Sequence, residues 1–224
     1  VELERVASSE SEDAEVRRSA LWQAAELYAS SNDSTSAMRT YTEYVARFPT
    51  PVEPAIEARQ ELADLAGAAG DTGSRKHWLE ELVAAAGASG SERSVWLAAH
   101  ASLELARPLD AATRSARLAV PLDRSLAAKK TAMEASLSAY ARAAGYGVAE
   151  VTTAATYAMA DLYRDLGRSL LESERPPGLS AEELEQYGLL LEEQAYPFEE
   201  KAIGIHADNA HRAVNGVYDQ WVRR

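Results

Sequence analysis

The sequence predicts an all-α protein built from antiparallel helix pairs. Alanine, leucine and glutamate, which favour helices, abound, whereas strand-forming residues are sparse. Apolar residues recur at spacings of three and four, as on one face of an amphipathic helix. Glycine and proline fall mostly between these periodic segments, where helices end. With 224 residues, 46% of them hydrophobic, the chain is long enough to bury a core.

The best-formed helix pair is predicted over two segments, about residues 14–31 and 34–48. The polar run Asn32–Ser36 separates them, because such side chains bond neighbouring backbone groups and favour turns and helix N-caps. Pro49 ends the second helix. A pair of this kind cannot bury its apolar faces alone, so it predicts neighbours of the same kind.

The pair recurs along the chain. A shift of 38 residues places QAAELYASSNDSTSAMRTYTEYV over ELADLAGAAGDTGSRKHWLEELV, and a further shift of 40 aligns a third first-helix, SVWLAAHASLELA. The prolines around residues 50–54 predict a non-helical connector, followed by a helix over about residues 55–69. In the third unit Arg107–Asp110 is the predicted turn, with Asp110 as N-cap of a helix that ends near Val120.

The opening unit resembles the tetratricopeptide repeat, a helix–turn–helix pattern of about 34 residues. With Pro49 as the terminal proline, the small and aromatic positions of that family fall on matching residues, namely Ala25, Tyr28, Ala37 and Tyr41. Tyr44 departs from the pattern, because the family usually has alanine there. The second unit departs at three positions, Arg59, Ala66 and Arg75. The resemblance covers about residues 14–120 and implies an α-solenoid scaffold rather than a chemistry.

Beyond Pro121 the helices become longer and less regular. The pattern predicts helices over about residues 126–144 and 149–174. The chain is therefore expected to comprise about three tetratricopeptide-like helix pairs over residues 1–120 and a C-terminal helical module over residues 121–224 that continues the solenoid.

The remaining helices of the C-terminal module are predicted from caps and apolar stripes. Ser180 and Glu183 form a capping box that starts one helix. One apolar stripe continues through Pro197, which predicts a single kinked helix rather than two. A final helix is expected from about Asn209, with an apolar face of Val214, Val217, Tyr218 and Trp221.

The C-terminal module resembles helical modules that follow repeats in large bacterial cell-envelope proteins. The stretches YGVAEVTTAATYAMADLYRDLG and LLLEEQAYPFEEKAI carry this resemblance. It implies a segment of a larger envelope protein that accompanies trans-envelope machinery of the Tol–Pal kind. The periplasm or cell envelope is therefore favoured over the cytoplasm. The start of the chain, VELERV, without an initiator methionine, agrees with a fragment of a longer protein.

No motif predicts catalysis, a cofactor or a metal. Cysteine is absent, which excludes disulfides and thiolate chemistry. The tetrapeptide DTGS at Asp71 copies an aspartic-protease motif, but it lies between two helices without a second copy and is interpreted as a helix N-cap. His206 and His211 are five residues apart, which places them on different sides of a helix. The chain is interpreted as a non-enzymatic protein.

The geometry of the tetratricopeptide family predicts a partner-binding groove along the first helix of each pair. The positions that face this groove are Trp22, Glu26, Gln60, Asp64, His100, Glu104 and Arg107. An aromatic ring beside carboxylates in a concave surface suits a peptide or helix with basic and apolar side chains.

Charge narrows the class of partner. The net charge of −12 argues against nucleic acid. Residues 172–200 contain nine glutamates and one arginine, which suits docking of a basic protein or peptide. No apolar run is long enough to span a membrane. The predicted function is a protein–protein interaction scaffold. The alternatives are a cytoplasmic adaptor or regulatory sensor on the same scaffold, and a small-ligand binder or enzyme that uses a pocket between the two halves.

Overall fold

The structure, a computed structural model, describes residues 2–223. Every regular element in this range is helical, which confirms the predicted all-α class. Helices that follow one another in the chain pack in neighbouring pairs. The chain divides into two compact units, a first unit that ends at Ala101 and a second unit that begins at Ser102.

The first unit contains five short helices and the start of a sixth. They are α1 (Glu2–Ser8), α2 (Ala14–Ser30), α3 (Ser34–Arg47), α4 (Val52–Ala68), α5 (Thr72–Ala86) and α6 (Glu92–Ser115), of which residues 92–101 belong to this unit.

The turns of the first unit follow from its sequence. Asn32 adopts the left-handed conformation (φ 62°), and the side chain of Asp33 accepts a hydrogen bond from the backbone N–H of Ser36 at 3.1 Å. Asp71 caps α5 in the same way, accepting from the N–H of Ser74 at 3.0 Å. Both aspartates satisfy otherwise unpaired N–H groups of a first helical turn. The predicted turn and the interpretation of DTGS as a cap are confirmed.

Small and aromatic side chains fill the core between α1, α2, α3 and α4. The buried members are Ala7, Ala20, Leu21, Ala25, Tyr41, Tyr44, Ala58 and Leu62, with Trp22 and Trp78 packed at the edge. Alanine at the contact positions lets the helices approach closely, and the two tyrosines fill the remaining volume. Of the small and aromatic positions of the repeat pattern, Ala25, Ala37 and Tyr41 are therefore buried, whereas Tyr28 is half-buried and its hydroxyl donates to Glu4 at 2.9 Å.

The prediction of a non-helical connector over residues 50–54 is wrong for its last three residues, which are helical. Helix α4 begins at Val52 and includes Pro54, three residues before the predicted start. Pro54 occupies the first turn, where a backbone N–H has no helical acceptor, so the missing donor carries no penalty.

The second unit is built from longer helices. It contains the rest of α6 and then α7 (Leu122–Ala144), α8 (Ala149–Leu171), α9 (Ala181–His211), a 3₁₀ turn (Arg212–Asn215) and α10 (Gln220–Arg223).

The turn predicted at Arg107–Asp110 is also wrong, because α6 runs through Pro108 without interruption. Asp110 does not cap a helix. Its carboxylate binds the guanidinium of Arg114 at 2.5 Å and accepts a hydrogen bond from the Tyr140 hydroxyl at 2.9 Å. The next turn is held by Thr113, whose hydroxyl lies 2.9 Å from that of Ser136. These contacts stabilise the helical turn after the proline, and a third helix pair with the predicted turn does not form.

Helices α8 and α9 form a close antiparallel pair. A Cβ atom at Gly167 would lie 3.2 Å from Cγ of Glu199 and 3.6 Å from the carbonyl oxygen of Ala195, so glycine permits the approach. At the other end the hydroxyl of Thr156 donates to Oδ1 of Asn209 at 2.8 Å. The capping box is present, and α9 is one helix through Pro197, as predicted.

The helix expected from Asn209 does not form as one element. Gly216 adopts a left-handed conformation (φ 83°), which ends the 3₁₀ turn and changes the direction of the chain. The chain then turns back, and Asp219 accepts hydrogen bonds from the backbone N–H groups of Trp221 (2.8 Å) and Val222 (3.1 Å). The hydroxyl of Thr153 donates to the same carboxylate at 2.5 Å, which anchors α10 on α8.

Candidate functional site

The candidate site is a cleft in the first unit between α2 and α4, with a volume of about 570 Å³. This surface is called the α2–α4 cleft. Its lining residues are Glu15, Arg18, Ser19, Trp22, Gln23, Glu26, Tyr44, Glu53, Pro54 and Glu57.

Helical spacing places the lining residues on two facing rows. On α2, Glu15, Ser19, Trp22 and Glu26 follow one another at spacings of four, three and four, so they share one face. On α4 the same spacing gives a second row, Glu53, Glu57, Gln60 and Asp64. The two rows are offset by 38 residues, which is the repeat length found in the sequence. The repeat itself therefore creates the cleft.

Trp22 forms part of the floor of the cleft. Its ring is half-buried and meets Tyr41 and Tyr44 edge to face, with centroid distances of 5.4 and 5.3 Å. Such aromatic contacts fix the ring orientation and add stability beyond the area that they bury. The indole is therefore held in place before any ligand arrives, which reduces the entropy lost on binding.

Most charged groups of the cleft already have partners. Glu57 accepts two hydrogen bonds from the guanidinium of Arg93, at 2.8 and 3.0 Å. Glu53 accepts from the hydroxyl of Ser89 at 3.0 Å, and Glu15 lies 3.8 Å from Arg18. Glu26 differs, because within residues 2–223 its carboxylate has neither a hydrogen bond nor an ion pair. It is exposed and available to a cation.

The negative potential of this region affects a neighbouring carboxyl group. The pKa of Glu61 is raised above its usual range, first by partial desolvation and then by the carboxylates of Asp64, Glu57 and Glu26. Repulsion among these groups disfavours the ionised form of Glu61. A cation bound among them would relieve this repulsion, so the surroundings of Glu61 favour a positively charged ligand.

The residues predicted for the groove lie on three helices, α2, α4 and α6. Trp22 and Glu26 line the α2–α4 cleft. Gln60 and Asp64 continue the α4 row, where Nε2 of Gln60 donates to Oδ2 of Asp64 at 3.0 Å. His100 lies on α6, with its ring 4.0 Å from that of Trp96. The last two predicted residues, Glu104 and Arg107, belong to the second unit and pair with each other.

Several residues of the cleft are missing from the sequence prediction. Glu15, Glu53 and Glu57 line it, yet the family geometry indicates only Trp22 and Glu26 on α2 and Gln60 and Asp64 on α4. The signal was present in the sequence, because each of the three lies seven residues from a predicted position on the same helix face. Extending each row by two turns would have identified them.

A second cleft, of about 630 Å³, lies within the second unit around a buried ion pair. Lys129 is 2% exposed and Asp165 is 7% exposed, and Nζ lies 3.1 Å from Oδ2. Nζ also donates to the carbonyl of Ala116 at 3.0 Å, and Arg168 donates to the other carboxylate oxygen at 2.9 Å. Because the cations and the carboxylate neutralise one another in the interior of the unit, we assign them to folding.

Neither a metal site nor a membrane span is found in the part of the chain that the structure describes. Residues 2–223 contain no group of three or more histidine, aspartate or glutamate side chains with the geometry to hold a metal ion. His206, from the predicted helix surface, is half-buried with Nε2 3.5 Å from Oδ1 of Asp161. Among these residues no helix combines the length and hydropathy that a membrane span requires.

Comparison with family models, with curated protein sequences and with solved structures gives no match for this chain.

Proposed function

We propose that the protein is a non-enzymatic interaction scaffold whose α2–α4 cleft binds a peptide with basic and apolar side chains. The observation that supports it best is the fixed indole of Trp22 beside the unpaired carboxylate of Glu26 in one open cleft. A preorganised aromatic anchor with charged groups at its rim is typical of peptide-recognition surfaces.

Each part of the cleft would recognise a different part of such a peptide. The face of Trp22 would accept an apolar side chain or the cation of an arginine or lysine. Glu26 would pair with a second cation. The carboxylates of Glu26, Glu57 and Asp64, all of which act on Glu61, would favour added positive charge there. A cationic peptide with an aromatic or aliphatic residue next to a basic one would satisfy all three.

The repeat architecture also supports the proposal. Residues 14–86 form two consecutive helix pairs with equivalent caps at Asp33 and Asp71, and the first helices of the pairs form the cleft. We propose that these pairs are tetratricopeptide-like and that the protein works within a larger bacterial envelope protein. The second placement rests on the resemblance of the C-terminal helices.

The proposal is tested by selecting peptides from a random display library on the intact chain. We expect enrichment of peptides that combine lysine or arginine with an aromatic or aliphatic residue. The affinity of a selected synthetic peptide is then measured by fluorescence anisotropy at low and high salt. Trp22→Ala should weaken binding by more than tenfold, as for a central aromatic anchor. Glu26→Lys should weaken it severalfold at low salt and less at high salt.

The matched control is Glu10→Lys, a charge reversal at an exposed residue before α2. It should bind like the wild type, which separates local pairing from net charge. Circular dichroism shows whether Trp22→Ala remains folded, and Glu26→Lys keeps the test valid if it does not. Selected peptides that lack basic residues, or that bind both cleft variants with wild-type affinity, would refute the proposal.

A further inference from the structure

Helix α9 exposes a row of large apolar side chains that lies outside its packing with α8. Leu189, Tyr196 and Ile203 are 57%, 58% and 69% exposed. They are seven residues apart, so they lie on one side of the helix with a drift of only about 20° per heptad. This row is called the α9 outer stripe. Isolated exposed apolar residues are ordinary, but an aligned row on one helix is typical of an interaction surface.

The inner face of α9 is already used by the fold. Leu191, Ala195 and Ala202 are buried there, and Ala195 packs with Leu170 of α8. The outer stripe lies about 120° around the helix from these buried residues and takes no part in this packing. Helix α9 therefore has two apolar faces, of which the core of the second unit covers one.

The N-terminal part of α9 extends past its partner helix. Ala195 lies beside Gly167 and Leu170, and α8 ends at Leu171, so residues 181–190 have no α8 segment beside them. All residues from 181 to 186 are exposed. The outer stripe thus begins on a helical segment that is accessible from several sides.

Carboxylates flank the stripe on both sides. Glu192, Glu193, Glu199 and Glu200 occupy the positions three and four residues after Leu189 and Tyr196. Lys201 is the single cation between Leu189 and Ile203, and its Nζ lies 5.6 Å from the ring centroid of Tyr163. The surface therefore combines an apolar centre with an acidic border.

We infer that the α9 outer stripe docks an amphipathic helix of a partner protein, with apolar residues at heptad spacing and lysine or arginine beside them. The apolar residues would pack against Leu189, Tyr196 and Ile203, and the cations would pair with the four flanking glutamates. A second copy of this chain does not fit, because it would bring the same glutamates together. The inference rests on the proposed scaffold function but not on the α2–α4 cleft, which lies in the other unit.

The probe is a synthetic helical peptide of about 21 residues with leucine at the apolar heptad positions and lysine beside them. The control peptide keeps the leucines and carries glutamate in place of lysine. Binding to the intact chain is measured by fluorescence anisotropy at several salt concentrations. We expect the lysine peptide to bind at least tenfold more tightly than the glutamate peptide, and the difference to shrink at high salt.

The variant that tests the surface is the triple substitution Leu189→Gln, Tyr196→Gln and Ile203→Gln, since glutamine favours helices and these side chains are exposed. We expect it to weaken binding of the lysine peptide by at least tenfold. The matched control replaces two exposed apolar residues off α9, Leu27→Gln and Val214→Gln, and should bind normally. Circular dichroism and the thermal midpoint should be unchanged in both.

Three results would overturn the inference. The two peptides could bind equally well, or the triple variant could keep the affinity of the wild type. A dimer of the chain that the triple variant abolishes, seen by light scattering, would assign the stripe to a second copy. In each case the cleft variants Trp22→Ala and Glu26→Lys still test the proposed function separately, because neither residue lies near α9 in the sequence or in the same unit.

Discussion

The helices of the two units pack through different kinds of contact. The first unit packs short helices through alanine, leucine and tyrosine, its turns are capped at Asp33 and Asp71, and its ion pair Glu57–Arg93 lies at the surface. The second unit packs long helices and buries polar groups between them, including the ion pair Lys129–Asp165 and the hydroxyl pair Thr113–Ser136.

The difference concerns how each unit fixes its register. A short hairpin has a turn at each end, and its capping residue determines where the next helix starts. A long helix has no capping residue over many turns. Its apolar stripe would still face the neighbouring helix if the two helices shifted by one turn relative to each other. Buried polar partners penalise that shift, because each would lose its hydrogen bond in a dry environment. We expect polar contacts to determine the register in the second unit and turn caps in the first.

The largest expected effect is the loss of the buried ion pair. Lys129→Met leaves the Asp165 carboxylate buried with one cation fewer, which should lower the free energy of unfolding by about 3–5 kcal/mol. Urea unfolding measured by circular dichroism gives the size, and hydrogen exchange should place the loss in the second unit. Lys130→Met, at the exposed neighbouring position, is the control. The double variant Lys129→Met, Asp165→Leu should recover much of the loss, and a single variant as stable as the wild type would contradict a role for the pair.

A similar or smaller loss is expected from a cavity in the first unit. Leu62 is fully buried, so Leu62→Ala should cost about 2–5 kcal/mol through lost apolar contacts and the cavity that remains. Leu27→Ala, on an exposed side chain, should have little effect. Hydrogen exchange should place the loss of protection in the first unit. If polar substitutions in this core were better tolerated than Leu62→Ala, the contrast between the units would be wrong.

The smallest expected effect comes from a turn cap. Asp33→Ala removes the acceptor for the N–H of Ser36 and should lower the thermal midpoint less than Leu62→Ala does. The hydrogen bonds from Ser36 lower the pKa of Asp33. The stabilisation is therefore complete above the ordinary aspartate pKa of about 3.9 and is lost as pH falls through the lower pKa of the folded protein. Asp13→Ala is a matched control, because Asp13 precedes α2 without capping it. Melting curves recorded between neutral and strongly acidic pH give the loss in thermal midpoint and its dependence on pH.

Sequence reasoning succeeded where the determining residues are neighbours in the chain. The turn at Asn32–Ser36 and the capping box of Ser180 and Glu183 were predicted because the donor and acceptor are three residues apart. The two proline errors have another cause. Pro54 and Pro108 both lie inside helices, the first because of its position in the first turn and the second because distant contacts at Asp110 and Thr113 stabilise the turn after it.

The same distinction applies to the sites. Trp22 and Glu26 were predicted for a groove from the repeat pattern, and the structure places them in one cleft. Lys129 and Asp165 are 36 residues apart on separate helices, and no local pattern indicates that they meet. The heptad spacing of the α9 outer stripe is visible in the sequence. The sequence does not reveal, however, which apolar face of that helix the fold leaves exposed.

The two-faced construction of α9 also affects how the protein can evolve. Gly167 and Ala195 limit substitution on the inner face, because a larger side chain at Gly167 would collide with α9. Substitutions at Leu189, Tyr196 and Ile203 meet no such limit, so these exposed positions can change with little loss of stability. Lineages can therefore change what the outer face recognises while they inherit the same helix pair, and we expect sequence divergence among descendants of this chain to concentrate there.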